Sequence, residues 1–455
     1  MSEYQLYINK LTQKILCGIL IFMMIAIPIS HYIALKQQIN GNIIANTNYF
    51  CAILLFLVLG FGIIQGGFKF NFKSPVIIFI ALMSILAIIS TFTSIDKNLS
   101  IWGRPGRYEG IFTLLGYFIV FLSAVVISEK KYQSYLINAF LIVGVFHCLY
   151  GLGQRFNLYP EFIISKYGTH ISGVTGNPDF MGGYTALLIA LSAGLGLFTK
   201  QIPLKIAYLA STGLFLVTCV FTRTMIGLVG IVMTIIACFI FAVISLLYNK
   251  DNTDKTITMI ILILCILAAY FVGEQLLYYN DGEYLKEIMH NVEDLQGILN
   301  GEITESSGAG RLLVWMNSLT LVKDYAFFGS GPDTFGSAYH ALFPLNLGTY
   351  YDKAHNEYIQ MLITLGIPFL VSYLGLCITC ITYSIKNIVK KWKQGLINQS
   401  SLEIACLIAI LAYMAQACFN ISVVDVVPFY WMILGIAVAS IYRKQMEKSY
   451  EFKLK

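Results

Sequence analysis

The sequence predicts an all-α polytopic membrane protein of about twelve transmembrane helices, with one large extracytoplasmic loop that contains amphipathic helices. Three observations carry this reading. Of the 455 residues, 57% are hydrophobic and only 12% charged, against roughly 25% charged in an average soluble protein, which excludes a water-soluble globule. The apolar residues come in blocks of about twenty with almost no charge inside them, the length a helix needs to cross a ~30 Å hydrocarbon core. One long segment, from about Gln275 to Lys353, breaks this rhythm and reads as a loop outside the bilayer.

Taken in order, the apolar runs place spans at residues 13–34, 48–66, 75–94, 110–128, 133–154, 180–198, 203–222, 224–247, 256–275, 356–380, 402–422 and 427–442. The first run has no A-x-A-like cleavage site and exceeds the length of a signal-peptide core, so it reads as a permanent helix. With the N-terminus in the cytoplasm, the inner segments hold Lys10, Lys14, Lys69, Lys73, Lys130, Lys131, Lys200, Lys205, Lys250, Lys255, four lysines between 386 and 393, and five basic residues of the tail. Those are 19 of the 30 basic residues, and the positive-inside rule then puts both termini inside. The chain divides into an N-terminal bundle of spans 1–9 (residues 1–275), an extracytoplasmic loop domain (276–353) and spans 10–12 with a cytoplasmic tail (354–455). Impermeant thiol labelling of single cysteines at Ser307 and Ser449, in an otherwise cysteine-free chain, tests this threading. Only the first is expected to react in intact cells, and reaction of the second alone overturns it.

The charge pattern and the cysteines narrow the function classes. The net charge of +6 comes from lysines in short loops between spans, which orientation in a membrane explains and nucleic-acid binding does not. Five of the six arginines, Arg104, Arg107, Arg155, Arg223 and Arg311, fall on the outer side. Their planar forks suit phosphate or carboxylate better than lysine does, so the outer face looks built to hold an anion. All ten cysteines lie in the apolar blocks, leaving no disulfide framework or zinc cluster in a loop; Cys377 and Cys380 read as packing residues. Cytoplasmic loops are short, the longest being about residues 381–401, and no P-loop pattern occurs. His147 is the one strongly ionisable residue well inside a span, and no internal repeat is visible, both of which disfavour an ion-coupled transporter.

Four segments can carry chemistry. The loop Trp102-Gly103-Arg104-Pro105-Gly106-Arg107-Tyr108-Glu109-Gly110 sets two arginines and a carboxylate among glycines and aromatics, a patch able to meet a phosphate or a sugar. Gly176-Asn177-Pro178-Asp179-Phe180 opens the sixth span, where Asn-Pro favours a turn and Asp179 is expected to cap the helix. Thr222-Arg223-Thr224 is squeezed between two spans, which leaves its arginine little freedom to reach water. The last runs from Arg311-Leu312-Leu313-Val314-Trp315 through Gly329-Ser330-Gly331-Pro332-Asp333-Thr334-Phe335 to Ala354-His355-Asn356-Glu357-Tyr358. Amphipathic stretches surround its start, at Glu283–Leu299 and Arg311–Lys323. The glycine-rich piece follows no strand and is a loop, not a dinucleotide fingerprint. His355, at the outer edge of a span, could take a proton from a hydroxyl near physiological pH. No Asp/Glu/His set has metal-ligand spacing, so no metal and no cofactor are expected; Glu293, Asp294, Glu302 and Glu305 read as a solvated helix and loop.

The order of an R-x-x-x-W helix, a G-x-G-x-x-x-F loop and an A-H-N-x-Y start of a late span, after a T-R-T turn between two spans, resembles the O-antigen ligase superfamily. The similarity is anchored over residues 176–370, and W-G-R-P-G-R-Y-E-G resembles an earlier outer loop of many members. The resemblance implies about twelve helices, a large extracytoplasmic loop, and transfer of an oligo- or polysaccharide from a polyprenyl (undecaprenyl) diphosphate carrier to an acceptor hydroxyl. It assigns His355 as the base and Arg223 and Arg311 as diphosphate ligands, with Arg104 and Arg107 extending that role. Asn356, Tyr358, Glu109, Asn177 and Asp179 become supporting residues. The expected location is the bacterial cytoplasmic membrane, with the site on its outer face. The partners expected are the lipid-linked donor, a glycan, lipid or protein acceptor, and the bilayer. Asp352-Lys353 before the A-H-N motif departs from the Gram-negative ligases and leaves the acceptor open. Within the class, a polysaccharide polymerase and a protein O-oligosaccharyltransferase remain alternatives; outside it, a lipid or metabolite transporter or flippase. The residue chemistry agrees with transfer, because a lipid diphosphate donor is already activated and needs no ATP, while its departing diphosphate needs fixed cations.

Overall fold

The computed structural model describes residues 2–38, 42–159, 163–164, 166–167, 170–248, a scatter between 256 and 268, 311–344 and 350–451. The ninth expected span therefore falls largely outside the described residues. So do Glu283–Leu299, Glu302, Glu305 and Ser307.

Among the described residues all regular structure is helical. In chain order the helices are α1 (Glu3–Gln37), α2 (Asn42–Ile64), α3 (Pro75–Phe92), α4 (Lys97–Trp102), α5 (Ile111–Val126), α6 (Lys130–Arg155), α7 (Pro178–Phe198), α8 (Ile202–Thr222) and α9 (Met225–Tyr248). They continue with α10 (Arg311–Tyr325), α11 (Phe335–Leu342), α12 (Glu357–Leu365), α13 (Ile367–Lys393), α14 (Ser401–Gln416) and α15 (Val427–Glu451). Eight of them, α1 to α3, α6 to α9 and α13, are long and apolar enough to cross a membrane, and α5, α14 and the first half of α15 are shorter apolar helices. Each expected run except the ninth overlaps one of these, so the chain is a polytopic membrane protein. Its outward faces say the same. On α2, Leu55 is fully buried while Phe56 and Leu57 are about 60% exposed, and large apolar side chains left uncovered along a whole helix need lipid as solvent.

The centre of the bundle is built from α7, α14 and residues 427–439 of α15, which are buried on nearly every side. A helix apolar all round belongs in such a place. Close approach here depends on small residues, as expected where helices meet without a water-driven hydrophobic force. A Cβ at Gly194 of α7 would lie 2.7 Å from the Ala405 Cα of α14.

Three expected boundaries are corrected. The tenth span, read as 356–380, is two helices. Gly366 takes φ +88°, a conformation open to glycine, and Pro368 opens α13 where its missing N–H costs nothing. The carbonyls freed at the break are taken by the glycine-rich loop: Ser330 N–H donates to Ile363 O at 2.9 Å and Gly331 N–H to Thr364 O at 2.9 Å. Ile367 N–H in turn donates to Ala326 O at 2.7 Å. Helix α13 then runs on to Lys393, so Lys386, Lys390, Lys391 and Lys393 are helical and the loop read at 381–401 shrinks to the turn before α14. The eleventh span stops at Gln416, and residues 417–426 form turns instead of a membrane helix.

Candidate functional site

Asp333 stands where three segments meet. It sits in the glycine-rich loop with φ +59°, and its Oδ2 accepts from the backbone N–H groups of Arg104 at 2.6 Å and Glu109 at 3.2 Å. Its Oδ1 lies 2.5 Å from Lys353 Nζ, in a pair whose side chains are 3% exposed for the lysine and wholly buried for the aspartate. One carboxylate thus joins the 103–109 turn, the loop after α10 and the segment that leads to His355. Breaking a buried pair leaves an unpaired charge and costs about 3–5 kcal/mol. Lys353→Met is therefore expected to lower the melting temperature of the purified protein strongly, and an unchanged melting curve would remove this role.

Two arginines brace the same segment. Arg107 presents its fork to Asp352, Nε to Oδ2 at 2.7 Å and Nη2 to Oδ1 at 3.3 Å. Burial pushes the Asp352 carboxyl up, but the bonds and charge of Arg107 outweigh it and hold the group below its ordinary range. Arg104 donates from Nη1 to the Tyr350 hydroxyl at 2.6 Å and lies 4.3 Å over that ring, which stacks on His340. Both arginines therefore have protein partners, and a diphosphate would have to share them. Behind them the Glu109 carboxyl accepts from the Tyr117 hydroxyl at 2.6 Å. Loss of solvent raises it to about 7 against the opposing influence of Lys353 and Tyr117.

The R-x-x-x-W spacing has a direct structural meaning. Residues four apart share one face of α10. From that face Trp315 Nε1 donates to Ala354 O at 2.8 Å, and Arg311 Nη2 reaches Asp179 Oδ2 at 3.4 Å. Ala354 is held from its other side as well, its N–H donating to Gln360 Oε1 at 2.9 Å. The following residue, His355, has φ +51°, a conformation that costs a non-glycine residue energy and persists only where its surroundings impose it. Its ring is half-buried and makes no hydrogen bond to protein among the described residues. Burial, then the charges of Arg311 and Arg107, lower its pKa to about 4, with Asp352 opposing. The imidazole is thus neutral at physiological pH and able to accept a proton.

The supporting residues divide by role. Asn356 caps α12, its Oδ1 accepting from Tyr358 and Ile359 N–H, and the Tyr358 hydroxyl donates to Met414 O at 2.7 Å. The second bond fixes α12 against α14. The cap of α7 is Asn177, which accepts from Asp179 N–H at 2.8 Å. Asp179, expected to be the cap, is instead the second residue of the helix, free to face Arg311. Arg223 ends α8 in a left-handed conformation, φ +54°, and meets His170 Nε2 at 3.3 Å. The charges that act on His355 are those of Arg311, Arg107, Asp352 and Lys353, while Arg223 is placed against His170.

The residues missed by sequence reasoning are Asp352, Lys353 and Asp333 as braces, and the pair His31 and Asp425 described below. Asp352-Lys353 stands out as an unusual dipeptide beside the histidine; the others give no local signal, because the N–H donors to Asp333 lie 229 and 224 residues away and His31 lies 394 residues from Asp425.

Residues 210–374 match the protein family described as O-antigen ligase. That stretch contains Arg223, Arg311, Trp315, Asp333 and His355, and it supports the superfamily read from the motifs. No curated protein matches the chain.

Proposed function

We propose that this membrane protein of the O-antigen ligase superfamily transfers a glycan from a polyprenyl diphosphate carrier to an acceptor hydroxyl, on the outer face of a bacterial cytoplasmic membrane. The observation that carries the reading is at His355: the charges of Arg311 and Arg107 act on its imidazole, and the chain just before it is fixed by Trp315 and Gln360 at Ala354, by Asp333 at Lys353 and by Arg107 at Asp352. Transfer needs two things at one place, a base for the hydroxyl and cations for the departing diphosphate. In the proposed step the acceptor oxygen forms the new glycosidic bond as the bond from the anomeric carbon to the diphosphate breaks. The hydroxyl proton passes to His355, and the leaving group departs as polyprenyl diphosphate beside the arginines. A ligase and a polymerase differ here only in which hydroxyl enters.

The test is bond cleavage. Purified chain in liposomes with a lipid diphosphate-linked glycan is expected to release polyprenyl diphosphate and form a glycosylated acceptor. Movement of the intact lipid across the bilayer without cleavage would replace this reading by a flippase.

A further inference from the structure

Between the end of α1, the start of α7, the 106–108 turn and the 423–425 turn lies a cavity of about 540 Å³, within the roughly 300–1,000 Å³ of small-molecule sites. On its wall His31 meets Asp425, 394 residues further along the chain, with Nδ1 2.8 Å from Oδ1. The second Asp425 oxygen makes no hydrogen bond among the described residues. The other ring nitrogen, Nε2, faces Gly176, where an added Cβ would lie 3.3 Å away. A pair needed only for stability could be replaced by apolar residues at little cost, so a polar pair facing an open cavity points to a ligand.

We infer that this cavity receives the acceptor glycan and that His31 and Asp425 are its polar recognition pair, an inference that rests on the proposed glycan transfer. The lining decides among ligand classes. A lipid tail has no use for a carboxylate and an imidazole. A diphosphate would meet the Asp425 carboxylate as well as the two cations of this lining, Lys166 and Arg107. A glycan offers hydroxyls that donate to the Asp425 carboxylate and to Nε2, and apolar ring faces that suit Tyr108 and Phe180. The position agrees: Arg107 lines the cavity and binds Asp352, three residues before His355.

The test is saturation-transfer NMR on the full chain in lipid nanodiscs, with glucose, galactose, N-acetylglucosamine, mannose, rhamnose, lactose, maltose and diacetylchitobiose as probes. At least one probe is expected to bind. Asp425→Asn is expected to weaken it by about tenfold or more, the scale of one lost hydrogen bond to a charged group, and Leu35→Trp, which fills the cavity, is expected to weaken it as well. Leu35 lines the cavity and belongs to no ion pair, so the tryptophan tests the space even if Asp425→Asn fails to fold. Absence of binding by every probe, or binding unmoved by Leu35→Trp, overturns the inference. The parent reading fails separately: a chain that binds sugar in this cavity but never cleaves the lipid diphosphate donor loses glycan transfer and keeps the site. A chain that transfers glycan with no sugar bound here loses the site alone.

Discussion

Replacing His355 with alanine is expected to lower glycan transfer by roughly 10²–10⁴-fold, the usual worth of a positioned base, while the amount of protein in the membrane barely changes. The side chain is half-buried and makes no hydrogen bond to protein among the described residues, so its removal costs the fold little. The pH profile adds a sharper expectation. Burial, Arg311 and Arg107 hold the imidazole at about 4 in the free protein. A base must be unprotonated, so the rate falls as pH drops through its pKa. The acid limb of kcat/KM, which reports the free protein, is expected near pH 4. A bound diphosphate would offset the charges of Arg311 and Arg107, raise the proton affinity of His355 and move the acid limb of kcat to higher pH. Full transfer by His355→Ala, or a kcat limb at or below that of kcat/KM, would remove His355 from the mechanism.

Arg311→Lys and Arg223→Lys are each expected to impair transfer on the order of 10²-fold, the scale of losing one fixed donor to a developing charge. Lysine keeps the charge and loses the planar fork, so it does not replace a bidentate contact. If either residue only met lipid headgroups, the change would be nearly silent, since a surface attraction of ~1 kcal/mol per positive charge does not distinguish the two side chains. The two sites differ in what the fold already provides. Arg311 stands among the charges that act on His355, whereas Arg223 meets His170. Transfer from a purified lipid diphosphate donor in reconstituted membranes measures both variants, and a disulfide or photochemical crosslink locates the side chains. Wild-type rates in both would leave the diphosphate without its proposed ligands.

Much of this protein is written locally. The membrane class follows from apolar runs of bilayer length, because a backbone in lipid has to satisfy its own hydrogen bonds and a helix does so within one segment. The same local logic made His355, Arg311 and Trp315 legible: helical spacing puts Arg311 and Trp315 on one face of α10, and the A-H-N motif marks a helix start. Hydropathy could not see the break at Gly366, since residues on both sides of it are apolar. What makes that break stable is the loop at 329–331, which takes the carbonyls the helix releases. The bracing of the site is likewise a tertiary fact. Asp333 is one aspartate in a loop until the fold brings Arg104, Glu109 and Lys353 to its oxygens. His31 and Asp425, at opposite ends of the chain, become a pair only when α1 and the turn before α15 are packed side by side. Periodicity and motifs report interactions within a few turns of the chain; charges meeting across hundreds of residues depend on how the helices are arranged, and that arrangement is decided by packing.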